Sequence, residues 1–179
     1  VRAHWRRLFE QLQRSSPAQL VQRQALLARQ IQENGVTYNV YADPKGADRP
    51  WELDLLPHLM PAAEWQQLAS GIAQRARLLN ALLADIYGSQ QLISDGLLPA
   101  ELVYGHNNFL WPCQGITPPE GTFLHVYAVD LARSPDGRWW VTADRTQAPS
   151  GAGYALENRT VVSRALPELY RDLQVQHLA

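Results

Sequence analysis

The chain has 179 residues, 46 % of them hydrophobic and six of them Trp, enough to bury a sizeable core as one domain or two small ones and to argue against disorder over most of the length. Lys plus Arg number 16 against 17 Asp plus Glu, a net charge of −1, so there is no general electrostatic case for nucleic acid or an anionic membrane surface. The single cysteine, Cys113, rules out an internal disulfide and points to a reducing compartment, the cytoplasm.

No apolar run approaches the roughly 18 residues that a spanning helix needs. The first residues, VRAHWRRLFEQL, are basic without a signal peptide's apolar stretch. The sequence starts with Val1 and its only Met is Met60, so it reads as a piece of something longer.

Residues 3–14 and 17–33 read as two helices broken at Ser15-Ser16-Pro17, with Ser16 as cap and Pro17 in the first helical position. Leu20, Leu27 and Ile31, with Val21 and Ala28 beside them, form an apolar stripe expected to dock against a core. Asn34-Gly35 stops the helix. The β-branched and aromatic run VTYNVY, 36–41, predicts a strand. A polar loop over 43–50 follows, then a short extended piece, WELDLL, 51–56. Pro61 opens the clearest helix, to about residue 87, with Leu68, Ile72, Leu79, Leu82, Leu83 and Ile86 along one side. Short helical turns are expected at 89–94 and 99–104, and a loop over 107–119. Two strands, FLHVYAVDLAR and RWWVTAD, form a hairpin over 123–145 through Ser134-Pro135-Asp136-Gly137. Trp139 and Trp140 put one ring on each sheet face, which predicts that both faces are covered. A helix is expected over about 154–164, and Pro167 opens a last one. The fold class is α+β: N-terminal helices, a long central helix and a small, mainly antiparallel sheet.

The segment ADRTQAPSGAGYALENR, 143–159, concentrates polar and charged side chains between the hairpin and a helix start, a place where ligands are often held. Asp130 and Asp144 stand toward the ends of the two strands. If those strands pair across the turn, the carboxylates can lie close and offer the hard oxygens that Mg²⁺ takes. The competing reading is two ordinary strand-end Asp residues. PSGAG, 149–153, lets the backbone approach an anion at the helix start, but it is neither a P-loop nor GxGxxG, and a plain capping loop fits it as well. Arg145 and Arg159 bracket that loop and suit bidentate contact with carboxylate or phosphate, or else salt bridges to Asp144 or Glu157. The five His show no metal-ligand spacing, and Cys113 has no CxxC partner.

Taken in order, NGVTYNVY, RPWELDLLPHLMPAAEW, LNALLADIYGSQQLISDGLLPAELV and HVYAVDLARSPDGRWWVTADRTQAPSGAGYALENR resemble the N-terminal part of the circularly permuted ATP-grasp proteins, which are similar to glutathionylspermidine synthetases. The likeness covers about residues 34–171. It implies 34–179 as the first part of the permuted domain, with the rest downstream, and leaves residues 1–33 as an N-terminal helical segment outside the likeness. It also implies an ATP-dependent carboxylate–amine ligase acting on a peptide or amino acid, with ATP and Mg²⁺ needed only together with the remainder of the same polypeptide, and no activity from this piece alone. Asp130 and Asp144 would serve the metal; Gln147, Ser150, Gly151 and Asn158 would contact the cofactor; Arg145 and Arg159 would be catalytic. Where many members resemble Glu-Asp-Asn at the hairpin's end, this sequence has Ala143, Asp144 and Arg145, and a cation at Arg145 opposes Mg²⁺. The alternative is therefore a non-catalytic, degenerate grasp-like module that binds a peptide or a partner protein.

Overall fold

The computed structural model describes residues 2–38 and 49–176. The predicted strand positions 39–41, the polar loop up to residue 48 and the single lysine, Lys45, lie outside the described residues. In chain order the elements are α1 (Arg6–Arg14, entered through a 3-10 turn, Ala3–Trp5), α2 (Pro17–Glu33), β1 (Thr37–Tyr38), β2 (Arg49–Pro50), α3 (Ala62–Ile86), α4 (Gln91–Ser94), α5 (Ala100–Tyr104), β3 (Ala128–Arg133), β4 (Trp139–Arg145), α6 (Gly151–Ala165) and α7 (Pro167–Leu173). Helices with two small antiparallel sheets make this an α+β fold, as the sequence predicts.

The chain divides into two compact units, residues 1–61 with 150–179, and residues 62–149. This division does not follow the sequence boundary at residue 33, because α1 and α2 share a core with α6 and α7. That core is Leu8, Leu27, Ile31, Leu55, Val161, Val162, Ala165, Leu166 and Leu169, each at most 6 % exposed. Leu20 packs on its edge, so the expected stripe docks through Leu20, Leu27 and Ile31. Val21 is 70 % exposed and Ala28 is exposed too. At about 100° per residue they have turned off the buried face.

The break between α1 and α2 forms as its sequence dictates. Ser16 Oγ accepts from the Gln19 backbone N–H, and the Gln19 side chain accepts from the Ser16 N–H, a complete capping box. WELDLL forms no strand. Gln24 on α2 donates to the Leu53 carbonyl (3.0 Å) and accepts from the Leu55 N–H (3.1 Å), supplying the partners that a sheet neighbour would have given. Leu55 thereby enters the core.

In the second unit α3 presents Leu68, Ile72, Leu79, Leu82, Leu83 and Ile86 half-buried along one side. Asn80 on this helix donates to the Gly121 carbonyl and accepts from the N–H groups of Phe123 and Leu124, tying down the approach to the hairpin. Asp85 accepts from the N–H groups of Gln91 and Leu92 at the start of α4. Burial works to raise the Asp85 pKa, and these backbone bonds outweigh it and hold it below the usual range. Tyr87, Tyr104, Phe109 and Trp111 pack ring to ring beside α5.

Candidate functional site

The β3–β4 hairpin is closed as expected by residues 134–138. Ser134 N–H donates to the Arg138 carbonyl, Gly137 takes φ +90°, and Asp136 accepts from the Arg138 N–H. Next to the turn, Arg133 faces Trp139, Ala132 faces Trp140 and Leu131 faces Val141. The register then shifts by one residue, so Asp130 faces Ala143, Val129 faces Asp144 and Ala128 faces Arg145. Thr142 is the extra residue of this bulge, and its hydroxyl donates to the Asp130 carbonyl (3.1 Å).

The shift separates the two candidate metal ligands. Directly paired residues share a sheet face and successive residues alternate. Asp144 therefore lies on the face of Val129 and Tyr127, and Asp130 lies on the opposite face with Ala143. On the first face Arg75 of α3 holds both Asp144 oxygens, Nε at 2.6 Å and Nη2 at 2.7 Å, and the Tyr127 hydroxyl donates to the same carboxylate. The Arg75 hydrogen bond first, then that of Tyr127, brings the Asp144 pKa down to about 2. Tyr127 is pushed up to about 12, by burial first and by Asp144 second. The Arg75 pKa is raised, chiefly by its hydrogen bond to Asp144. On the other face Arg145 donates to Asp130 Oδ2 from Nε (3.1 Å) and Nη2 (2.7 Å), and this bond raises the Arg145 pKa.

One Mg²⁺ shared by Asp130 and Asp144 does not fit this donor set. The carboxylates point to opposite faces, and each is occupied by a guanidinium. No group of three or more metal-ligating side chains occurs among the described residues. Sequence reasoning missed Arg75. Its signal was its spacing from Glu64, about three turns along α3 and on one helix face: Glu64 pairs with Arg133 (3.0 Å) and accepts from the Trp139 indole N–H. The expectation of two covered sheet faces holds for the Trp139 face, while Trp140 is 54 % exposed.

The remaining candidates lie along the 147–159 segment, where the chain passes from one unit to the other between Pro149 and Ser150. Arg145 belongs to the hairpin unit and Arg159 to the helical unit. The helix starts at Gly151, three residues earlier than predicted, so both glycines occupy its first turn. The left-handed residue of the loop is Ala148, at φ +40°. Ser150 is the N-cap but makes no side-chain capping bond, so among the described residues no side chain caps the first N–H groups of α6. Further along, Asn158 accepts from the Trp51 indole N–H (2.8 Å), Glu157 accepts from Asn34, and the Tyr154 hydroxyl donates to the Thr37 carbonyl. Asn158 is thus engaged in joining α6 to the segment after β2, and Glu157 does not pair with Arg159. Arg159 lines a cleft with Tyr170 and several leucines.

The sequence that forms these elements matches a known family. Residues 57–179 fit the family described as circularly permuted ATP-grasp type 2. The chain belongs to that family. It is 40 % identical over 142 residues, 79 % of its length, to the uncharacterized protein sll0335 of Synechocystis sp.. It is 39 % identical over 181 residues to the uncharacterized protein Rv2567 of Mycobacterium tuberculosis, covering 97 % of this chain, and 35 % identical over 176 residues to Rv2411c of the same organism, covering 98 %. The chain spans 30 %, 20 % and 31 % of those three relatives, less than a third of each. Among the described residues no helix is long and apolar enough to cross a membrane.

Proposed function

We propose that this permuted ATP-grasp chain is the N-terminal part of a longer ATP-dependent carboxylate–amine ligase, acting on a peptide or amino acid. The observation that carries the reading is the family match over 57–179, which takes in the hairpin, the 147–153 loop and α6. ATP, when bound, would activate a carboxylate as an acylphosphate. The start of α6, with Ser150 and Gly151, suits an anion, since a helix start offers free donors and a positive dipole end. Arg159 would orient carboxylate and stabilise negative charge as it develops. Arg145, in the hairpin unit, is held by Asp130, a pair with side chains 62 % and 46 % exposed that costs little to open. The finer likeness to glutathionylspermidine synthetases and a cytoplasmic location belong to the same proposal.

The experiment is to supply the full-length protein with ATP, a mixture of short peptides and hydroxylamine. An acylphosphate is captured as a hydroxamate, with ADP released in equal amount. ADP release and hydroxamate formation that both stay at the no-peptide background would leave the ligase reading without support.

A second reading is favoured by the hairpin itself. With Asp144 taken by Arg75 and Tyr127 and Asp130 taken by Arg145, this could be a grasp-like module that binds a peptide or partner protein without ligase chemistry. Peptide binding that neither needs ATP nor consumes it distinguishes this reading from the first.

A further inference from the structure

The helical unit contains a cleft of about 270 Å³. Its walls are Leu53, Leu56 and Leu59 from the segment after β2, and Val162, Leu169 and Leu173 from α6 and α7. This volume falls just below the roughly 300–1,000 Å³ of ordinary ligand clefts, so it suits a small molecule better than a nucleoside triphosphate. Arg159 lines the same cleft and, among the described residues, makes no hydrogen bond or ion pair. Of the other titratable side chains in the lining, Asp54 is turned to its own backbone, accepting from the Leu56 N–H at 2.9 Å, and His58 packs edge-on against Trp5 with ring centroids 6.0 Å apart. Arg159 is close enough to Tyr170, also in the lining, to oppose the rise that burial causes in the tyrosine pKa.

A half-buried guanidinium is normally matched by a planar anion that meets its fork with two oxygens. Among the described residues the fork has no such partner, and the surface next to it is aliphatic. A doubly charged phosphate would find one permanently charged cation in the lining, Arg159, and has no tail to set against the leucines. A carboxylate needs one, and its tail could cover the leucines. We infer that this cleft binds a small carboxylate with an apolar tail, its oxygens on Arg159 with the Tyr170 hydroxyl donating beside them, and its tail against Leu53, Val162 and Leu173. The inference rests on the ligase reading only for the step from binding to activation; the binding stands without ATP.

Hexanoate titrated into the full-length protein, followed by methyl NMR, tests it. The expected result is saturable shifts at the Val162, Leu169 and Leu173 methyls. 1-Hexanol and inorganic phosphate should each bind about tenfold or more weakly, because the first lacks the charge and the second the tail. Arg159→Gln should weaken hexanoate by about tenfold or more and leave hexanol unchanged. Arg159→Lys, which keeps the charge but loses the fork, should fall between. Absence of saturable shifts, hexanol binding as tightly as hexanoate, or full hexanoate affinity in a folded Arg159→Gln variant would each overturn the assignment. If that variant does not fold, the comparison of hexanoate with hexanol on the unaltered chain decides alone. Hexanoate that binds but yields no hydroxamate with ATP in the full-length protein would count against the ligase reading and leave the cleft assignment in place.

Discussion

Arg75 grips both oxygens of Asp144, and this pair joins the middle of α3 to the last residues of β4. The guanidinium is a fixed fork and the carboxylate a planar pair of acceptors, so the contact sets orientation as well as distance. It turns a residue that looked like a cation ligand into part of the scaffold of the hairpin unit.

Stability should therefore depend on pH through Asp144. Its pKa of about 2 in the folded chain lies below the roughly 3.9 of an unfolded Asp. A lowered carboxylate pKa contributes stability that is complete above about pH 4 and is lost as pH falls toward about 2. Asp144→Asn removes that contribution. Urea unfolding between about pH 4 and pH 2 should show a shallower loss in the variant than in the unaltered chain. Equal slopes would mean that the Arg75 pair is not maintained in solution.

The same geometry bears on Mg²⁺. With Asp144 and Asp130 on opposite faces and both neutralised by arginine, millimolar Mg²⁺ should leave their carboxyl carbon resonances in place. Concerted movement of both signals on titration would restore the shared site and refute the register.

The hairpin shows where the sequence was readable and where it was not. Its turn chemistry, Ser134 to Gly137, and the Ser16 cap before Pro17 are local: a few adjacent residues contain the whole cause, and both form as read. The convergence of Asp130 and Asp144 depended on parity. Carrying the turn-proximal register onward would pair Asp130 with Thr142 and Ala128 with Asp144, placing the two carboxylates diagonally on one face. One bulged residue, Thr142, reverses this. Neither Thr142 nor its neighbours announces a bulge in sequence. The reason is tertiary: the reversed parity lets Asp144 meet Arg75, 69 positions earlier. Gln24 is a similar case, since a polar residue in a helical pattern gives no sign that it will satisfy the backbone at Leu53 and Leu55.

The helical unit should be sensitive to small losses at its centre. Leu27 and Ile31 are 0 % and 1 % exposed, so Leu27→Ala or Ile31→Ala should each cost about 2–5 kcal/mol. Val21→Ala, one residue from the stripe but 70 % exposed, should stay within about 0.5 kcal/mol. Denaturant midpoints of the three variants check this ordering. A Val21 effect as large as that of Leu27 would place the docking face of α2 elsewhere.

Replacing Gln24 should loosen the segment after β2. Gln24→Ala leaves the Leu53 carbonyl and the Leu55 N–H to find water, at a cost of about 1–3 kcal/mol if they remain screened. Hydrogen exchange at the Leu55 amide reports it directly. Protection should fall in the variant, while the Leu20 amide, whose bond to the Ser16 carbonyl lies within α2, keeps its own. Unchanged protection at Leu55 would show that the segment is held by burial of its side chain alone.

Arg159 should prove dispensable for folding and still be felt electrostatically. It has no hydrogen-bond or ion-pair partner among the described residues, so Arg159→Ala should leave the melting temperature unchanged. Its charge nevertheless acts on Tyr170. Burial raises the pKa of that tyrosine, and the neighbouring cation works in the opposite direction by favouring the phenolate. Removing the guanidinium takes away the opposing influence and leaves burial, so Tyr170 should titrate at higher pH in the variant. NMR of the labelled Tyr170 ring follows that titration apart from the other tyrosines. A higher Tyr170 pKa with an unchanged melting temperature is what a cation held ready for a ligand produces. A lower melting temperature would instead make Arg159 part of the scaffold, and a Tyr170 titration that does not move would place its charge outside the cleft.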